Sequence, residues 1–302
     1  NCMKAYTSNN IRNIAVVGHG GKGKTTLCEA MLYVSGATDR LGRVADGNTV
    51  LDFDPEEKRR KSSVSSAMAA IEWDNTKLNI IDAPGLFDFE GGVAEAVRAA
   101  EAVLIVTSAG SGVDVGTQKA FKAAEKRGAA KFFAITKTDS DHRSFYKTFE
   151  ALKEVYGNKL CPTIIPYMEG NLVKCYVNLM TGMAFSYDEA GKATKVDMPD
   201  DPVIEEMTSA FMEAVATTDD ALMEKFFEGE AFTKDEILKG LCIGIFDGSI
   251  YPVYAVSGLT CAAVDQLLYG LAWSAPGAYG YAGEDAEYEN GEVNILPCNE
   301  AG

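Results

Sequence analysis

Apolar and polar residues alternate along the first half of the chain in a pattern typical of strands that are followed by helices. Short apolar runs predict strands at 14–17, 67–73, 78–82, 102–107 and 131–136. Amphipathic stretches predict helices at 24–35, 90–100, 115–127 and 143–156. This alternation favours an α/β fold, a mostly parallel sheet of about six strands with helices on both faces. Asp74 and Asn75 between two strand patterns indicate a hairpin, and therefore one antiparallel edge.

The rhythm of the pattern changes after Gly157, where short strands with turns (162–187) precede a helical stretch (203–239). The core pattern then resumes with a strand over 250–256 and a helix over 262–273. The chain beyond Pro276 is acidic and carries several tyrosines, which is typical of a linker.

These changes divide the chain into three parts. We expect a core made of 11–159 and 249–277, an inserted α+β subdomain over 160–248, and a linker over 278–302 toward a second domain outside this chain. We also expect the inserted subdomain to form a separate lobe beside the sheet.

Residues 37–65 contain Gly, Asp, Asn, Pro and a basic run without a clear period, which predicts a long functional loop. The basic run at 58–61 fits either a solvated charged surface or a contact with RNA. Ser62 and Ser63 follow it, and their hydroxyl groups are able to reach a magnesium ion.

Charge and cysteine content narrow the function. The net charge of −16 over 302 residues argues against a general nucleic-acid binder and against a DNA partner, since phosphate contacts need a basic face. The seven cysteines are scattered and form no Cys-x-x-Cys pair, which favours reduced thiols in the cytoplasm and disfavours a zinc site. No apolar run reaches the length of a membrane span, so we expect no membrane contact.

The strongest local motif is the run Gly18-His19-Gly20-Gly21-Lys22-Gly23-Lys24-Thr25, which lies between an apolar strand and a helix. Its spacing predicts a phosphate-binding loop. Glycines allow the turn in which backbone N–H groups and the positive end of the next helix point at a polyphosphate. Lys24 adds a positive charge, Thr25 offers a magnesium ligand, and Thr26 is grouped with the nucleotide-binding residues.

Asp82-Ala83-Pro84-Gly85 closes the strand that follows the hairpin. A carboxylate at a strand end beside a phosphate loop can hold magnesium, and the backbone N–H of Gly85 can meet a terminal phosphate. We therefore expect Asp82 to lie in the same site as the glycine-rich loop.

Two further motifs favour recognition of guanine. Thr136-Lys137-Thr138-Asp139 ends a strand, and a carboxylate there can accept hydrogen bonds from two guanine donors that adenine lacks. The stem of Lys137 can cover the ring. Ser257-Gly258-Leu259 follows the last core strand, and backbone N–H groups of that loop can meet the guanine carbonyl oxygen.

Together these motifs resemble the GTPase domain of bacterial elongation factor G, or of its paralogues, over nearly the whole chain. The resemblance is carried by their order: GHGGKGKT at 18, RVADGNT at 43, RRKSSVSS at 59, DAPG at 82, TKTD at 136 and SGL at 257. It implies a P-loop GTPase fold that binds GTP and GDP with Mg²⁺ and hydrolyses GTP on the ribosome.

The resemblance also implies roles for single residues. Lys24 and Gly85 take the catalytic positions, and Ser63 stands where the family has a magnesium-binding threonine, beside Thr25 and Asp82. The implied partner is the ribosome, through large-subunit RNA and the stalk. The factor is expected to act as a monomer in the cytoplasm.

Four departures from the family pattern leave two functions open. Leu86 replaces a histidine that orients the attacking water, Gly21 replaces an aspartate, Ser62-Ser63 replaces Ile-Thr, and Thr136 replaces an asparagine. One hypothesis is a ribosome-stimulated GTPase. The other is a nucleotide-dependent switch that docks on the ribosome and hydrolyses little GTP. A relative of the tetracycline-protection type stays open, whereas the base motif disfavours an ATPase.

Overall fold

The computed structural model describes residues 4–85, 90–139 and 144–277, and the backbone of 284–287 and 293–296. The strands are β1 Ile11–Val17, β2 Ala67–Trp73, β3 Thr76–Asp82, β4 Ala102–Ser108, β5 Ala130–Thr136, β6 Leu160–Glu169, β7 Leu172–Asn178, β8 Met183–Tyr187, β9 Ala193–Val196, β10 Tyr251–Ala255, β11 Glu284–Glu287 and β12 Val293–Leu296. The helices are α1 Lys24–Val34, α2 Pro55–Arg60, α3 Glu90–Arg98, α4 Val115–Arg127, α5 Phe145–Tyr156, α6 Pro202–Ala216, α7 Asp220–Glu228, α8 Lys234–Asp247 and α9 Val264–Ser274.

The predicted α/β fold is confirmed. Strands β4 and β5 are buried along their whole length, as continuous apolar runs in the middle of a parallel sheet should be. Six strands form the expected core in the order β2-β3-β1-β4-β5-β10. The pairs β3–β1, β1–β4, β4–β5 and β5–β10 are all parallel. Helices cover both faces. As a result, the carboxyl ends of β1, β3, β5 and β10 meet along one edge, where ligands of such sheets bind.

The antiparallel edge predicted at the hairpin is also confirmed. β2 and β3 pair antiparallel from Ala67↔Asp82 to Trp73↔Thr76. Asp74 and Asn75 join them with φ of 44° and 57°, the left-handed values that a two-residue hairpin turn needs.

The expectation of a separate lobe over 160–248 is wrong. β6 pairs in parallel with β10, starting at Leu160↔Tyr251, and β7, β8 and β9 extend the same sheet to ten strands. The physical reason is that the first part of β6 is a buried apolar run after helix α5, which makes it one more parallel strand of the core. Helix α6 of the segment packs on β6, and α8 packs on α9, β5 and β10 of the core.

Helix α2 interrupts the segment that the sequence predicts as a long loop. Asp54 caps it and exchanges hydrogen bonds with Glu57 in a capping box, and Pro55 occupies the first turn. These residue types were a readable signal in the sequence. Glu57 is buried and also accepts the backbone N–H groups of Val64 (2.9 Å) and Ser65 (3.2 Å), so the helix holds the chain that follows it.

Within 278–302, the segment predicted to be a linker, β11 and β12 form a small antiparallel pair. No helix in the described ranges is both long and apolar enough to cross a membrane.

Helix α9 packs closely on the sheet at Gly270, and a substitution there tests this packing. A Cβ atom on Gly270 would lie 2.4 Å from the hydroxyl oxygen of Tyr254, whose side chain is buried. We predict that Gly270→Ala lowers the free energy of unfolding by about 1–3 kcal/mol, the usual cost of overpacking. Denaturant titration measures this quantity.

Gly91 in α3 is the matched control, because a Cβ there meets nothing within 4 Å. We expect Gly91→Ala to be neutral or to stabilise by up to about 1 kcal/mol, since alanine is the better helix former. Equal changes in the two variants would show that the contact with Tyr254 does not limit packing.

Candidate functional site

The glycine-rich loop connects the end of β1 to the start of α1 at the sheet edge where the carboxyl ends meet. Gly18 has a φ of +139°, and a Cβ there would lie 2.3 Å from the carbonyl oxygen of Val106 in β4. Only glycine therefore fits between the loop and the neighbouring strand. A Cβ on Gly116 at the start of α4 would likewise come within 2.6 Å of the Cα of His19. The loop is held tightly from both sides, which fixes its backbone.

Lys24 lies inside this loop. Its side chain is only 7% exposed, and Nζ donates to the carbonyl oxygen of His19 at 3.1 Å. Burial lowers the pKa of Lys24, and the charge of Asp82 partly offsets the effect. A Cβ on Gly85 would lie 2.1 Å from this Nζ and 2.9 Å from the nitrogen of Gly20. The backbone of Gly85 thus packs against the glycine-rich loop. Leu86 lies outside the described residues.

A cluster of oxygen atoms surrounds Thr25 at the start of α1. Its hydroxyl donates to Oδ2 of Asp82 at 2.6 Å and lies 3.0 Å from the hydroxyl of Ser63. Ser63 in turn donates to Oδ1 of Asp52 at 2.7 Å. Because each hydroxyl gives its one proton to a carboxylate, neither has a proton for the other, and the two oxygens face each other with lone pairs.

Asp82 is only partly satisfied in this cluster. Its side chain is 1% exposed, and Oδ1 has no hydrogen-bond partner among the described residues. Burial raises the pKa of Asp82 to about 7, in spite of the Thr25 hydrogen bond and the charge of Lys24. Two hydroxyl groups and a buried carboxylate form the all-oxygen donor set that Mg²⁺ prefers.

No cluster of three His, Cys, Asp or Glu side chains that could hold a metal occurs within the described ranges. That result is compatible with Mg²⁺, because this ion takes one or two protein ligands and fills its other positions with water and phosphate. The residues present therefore fit a magnesium ion that arrives together with a polyphosphate.

The loop after β5 lies across the glycine-rich loop. Thr136 donates through Oγ1 to the carbonyl oxygen of Lys22 at 2.6 Å, and Lys137 donates through Nζ to that of Gly21 at 2.7 Å. Lys137 adopts a left-handed backbone with a φ of 59°, which turns its stem toward the loop. These two contacts connect the predicted base site with the predicted phosphate site.

A cavity of about 320 Å³ opens beside this contact. Its lining consists of the residues predicted to hold the base together with two from the phosphate side: Gly23, Thr26, Thr136, Lys137, Asp139, Ser257, Gly258 and Leu259. A Cβ on Gly258 would come within 3.0 Å of the backbone nitrogen of Leu27, so the last of these loops rests directly on α1. The structure thus brings all the predicted loops to one place.

Sequence reasoning missed residues that support the site. Asp52 has no motif around it, yet it accepts the hydroxyl of Ser63 (2.7 Å). Glu29 of α1 accepts the backbone N–H groups of Val50 and Leu51 at 2.7 and 3.0 Å and so holds the same segment. Asp114 forms an ion pair with Lys22 at 3.0 Å. Of Asp52, Glu29 and Asp114, only Asp114 had a signal in the sequence, because it is the N-cap residue of α4.

The model of the family described as Elongation factor Tu GTP binding domain matches residues 9–276. The chain belongs to this family. Similar curated proteins include the elongation factor G-like proteins of Mycobacterium tuberculosis and Thermotoga maritima, which are each 31% identical to this chain, over 261 and 259 residues respectively. The resemblance to the elongation factor G family stated from the motifs is therefore confirmed.

The chain spans only part of the length of those relatives. The aligned regions cover 85% and 86% of the chain, but only 36% and 37% of the relatives. A crystal structure of a protein from Thermus thermophilus superimposes with a TM-score of 0.83 at 33% identity, covering 92% of this chain and 42% of the other. The chain thus matches between about a third and two fifths of each of these longer proteins.

Proposed function

We propose that this domain binds GTP and GDP with Mg²⁺ and hydrolyses GTP on the ribosome. One observation carries the proposal: the glycine-rich loop, the Thr25–Asp82 oxygen cluster and the cavity lined by Asp139 form a continuous site along one sheet edge. The order of these parts suits a nucleoside triphosphate, with the base in the cavity and the terminal phosphate beside the oxygen cluster.

In this proposal the phosphates lie on the backbone N–H groups of Gly18 to Thr26, at the positive end of α1. Lys24 is already in place, and a phosphate would take over the hydrogen bond that Nζ now gives to His19. The N–H of Gly85 is close enough to the loop to meet the terminal phosphate. Thr25 and Ser63 would hold Mg²⁺ through their hydroxyls and Asp82 through water, and the ion would neutralise charge that develops on the phosphates.

Selectivity for guanine rests on Asp139 in the cavity. A carboxylate accepts two hydrogen bonds from guanine, while adenine would leave it without those donors. Lys137 covers the ring through its stem, and the backbone of Ser257, Gly258 and Leu259 faces the guanine carbonyl. This arrangement favours binding of GTP over binding of ATP.

The ribosomal partner is supported by the kinship to elongation factor G-like proteins. Arg60 at the end of α2 is 53% exposed while it pairs with Glu56, so the basic end of α2 is available to large-subunit RNA. The net charge of −16 makes such contacts local rather than general. We also propose that the protein acts in the cytoplasm and that it acts as a monomer.

A second function is supported by Leu86. An alkyl side chain at the position where the family has a water-orienting histidine cannot hydrogen-bond to water. The domain would then keep its bound GTP for long times on the ribosome and act as a slow switch. Binding would be intact in both cases, and only the rate of hydrolysis distinguishes them.

Replacing Asp139 tests the base site. We expect Asp139→Asn to bind GDP at least about 100-fold more weakly, because hydrogen bonds to a charged group contribute about 1.5–3 kcal/mol each. Binding of xanthosine diphosphate should rise, since its base has a carbonyl where guanine has an amine. Calorimetry measures both affinities, with Asp235→Asn as a control outside the site. Native protein that binds ATP as well as GTP would contradict the assignment.

Magnesium dependence separates the roles of Thr25 and Lys24. Thr25→Ala should weaken binding of a GTP analogue mainly when magnesium is present, because the hydroxyl acts through the ion. Lys24→Ala should weaken binding by a similar factor with magnesium and with EDTA, because Nζ meets phosphate directly. Titrations under both conditions provide the measurement. An equal loss for Thr25→Ala in both would remove its metal role.

Restoring a histidine distinguishes the enzyme from the slow switch. If Leu86 limits hydrolysis, Leu86→His should speed single-turnover GTP hydrolysis on ribosomes by roughly 10²- to 10⁴-fold, the usual contribution of a positioned proton-transfer group. The measurement uses the full-length protein, and GDP affinity should stay within about 2-fold of the native value. Rapid native turnover that the histidine does not increase would favour the ribosome-stimulated GTPase.

A further inference from the structure

A tyrosine of the inserted segment reaches the loops that line the base cavity. Tyr176 in β7 is 4% exposed, and its hydroxyl oxygen lies 2.7 Å from Oγ1 of Thr138. Thr138 stands between Lys137 and Asp139, the two residues of this loop that line the cavity. A side chain from β7 therefore contacts the base-side loop from the sheet side.

The direction of this hydrogen bond follows from counting protons. Oγ1 of Thr138 also donates to the carbonyl oxygen of Val256 at 3.1 Å, and a carbonyl oxygen can only accept. The single hydroxyl proton of Thr138 is thus used, so Tyr176 is the donor in the shorter bond. Val256 directly precedes Ser257, which also lines the cavity. Thr138 joins the two base-side loops, and Tyr176 fixes the rotation of its hydroxyl.

Tyr176 is itself held in place by groups that lead to the same loops. The ring of Tyr187 meets it edge-on, with centroids 5.7 Å apart and planes at 81°. The Tyr187 hydroxyl donates to Oδ1 of Asp265 at 2.6 Å. Asn178, two residues along β7 and on the same face, donates to Oε1 of Gln266 at 2.9 Å. Asp265 and Gln266 begin α9, directly after the loop that starts at Ser257.

The turn between β8 and β9 makes a second contact with that loop. A Cβ on Gly191 would lie 2.4 Å from the Cβ of Cys261. Cys261 and Ala263 have φ of 59° and 61°, left-handed values that cost free energy for residues other than glycine. Surrounding contacts must hold such a backbone, and the inserted segment supplies some of them.

We propose that Tyr176 is a positioning residue for nucleotide binding, through which the inserted segment sets how long a guanine nucleotide stays bound. The inference rests on the proposed function. The base leaves the cavity when the 137–139 and 257–259 loops separate, and the Tyr176–Thr138–Val256 chain of hydrogen bonds opposes that separation. GDP and GTP share the base, so the effect should be the same for both.

Release of a fluorescent N-methylanthraniloyl GDP, followed by stopped flow after mixing with excess GDP, tests the proposal. We expect Tyr176→Phe to speed release by about 5- to 20-fold, the factor that corresponds to losing one buried hydrogen bond and leaving its acceptor unpaired. The matched control is Tyr146→Phe, which loses a hydrogen bond of equal length, 2.7 Å to the carbonyl oxygen of Pro166, on elements that do not line the cavity. That variant should change release by less than about 2-fold.

Changes at Thr138 complete the test and remain informative if Tyr176→Phe folds poorly. Thr138→Val should speed release at least as much as Tyr176→Phe, because it removes the hydrogen bonds to both Tyr176 and Val256. Thr138→Ser should keep native release because it keeps the hydroxyl, and the double variant Tyr176→Phe with Thr138→Val should be no faster than Thr138→Val alone. Native release in Tyr176→Phe, equal acceleration in Tyr146→Phe, or additive effects in the double variant would each overturn the proposal. Failure of the native protein to bind the labelled GDP would instead overturn the proposed function itself.

Discussion

The hydrogen bond from Thr25 to Asp82 is the contact on which the arrangement of the site depends. It joins the first turn of α1 to the end of β3 and so fixes the glycine-rich loop against the strand that carries the second motif. It leaves Oδ1 of Asp82 buried without a partner among the described residues, which costs free energy unless a cation or a proton arrives. The same burial raises the pKa of Asp82 to about 7. A magnesium ion that binds together with a polyphosphate would supply the positive charge that stabilises this buried carboxylate.

The sequence was most informative where function depends on local order. The glycine-rich loop, Asp82 with Gly85 and the base motif each occupy a few consecutive residues at strand ends, and a parallel sheet brings strand ends together whatever its loops do. These elements could be placed without any knowledge of long-range contacts. Asp54 and Glu57 form a capping box that could have predicted helix α2. The helix was not predicted because the surrounding glycines and charged residues are typical of a loop.

What the sequence could not show depends on distant pairing. β6 joins β10 across about 90 residues of chain, and no local pattern states which strand will be its neighbour. For the same reason Asp52 and Tyr176 could not be found, since each acts on a partner, Ser63 or Thr138, that no spacing rule connects to it. Buried carboxylates at Glu29, Asp52 and Glu57 hold the 37–65 segment, although in the sequence they look like ordinary surface acids.

The parallel pairing of β6 with β10 also has a mechanical consequence. Hydrogen bonds that lie side by side along two strands share a pull directed along those strands, so they resist it together instead of opening one after another. β10 ends at Ala255, next to the residue that accepts the Thr138 hydroxyl. Because β6 to β9 belong to the same sheet as β10, the inserted segment is joined to the wall of the base cavity by strand hydrogen bonds and is not a loosely tethered attachment.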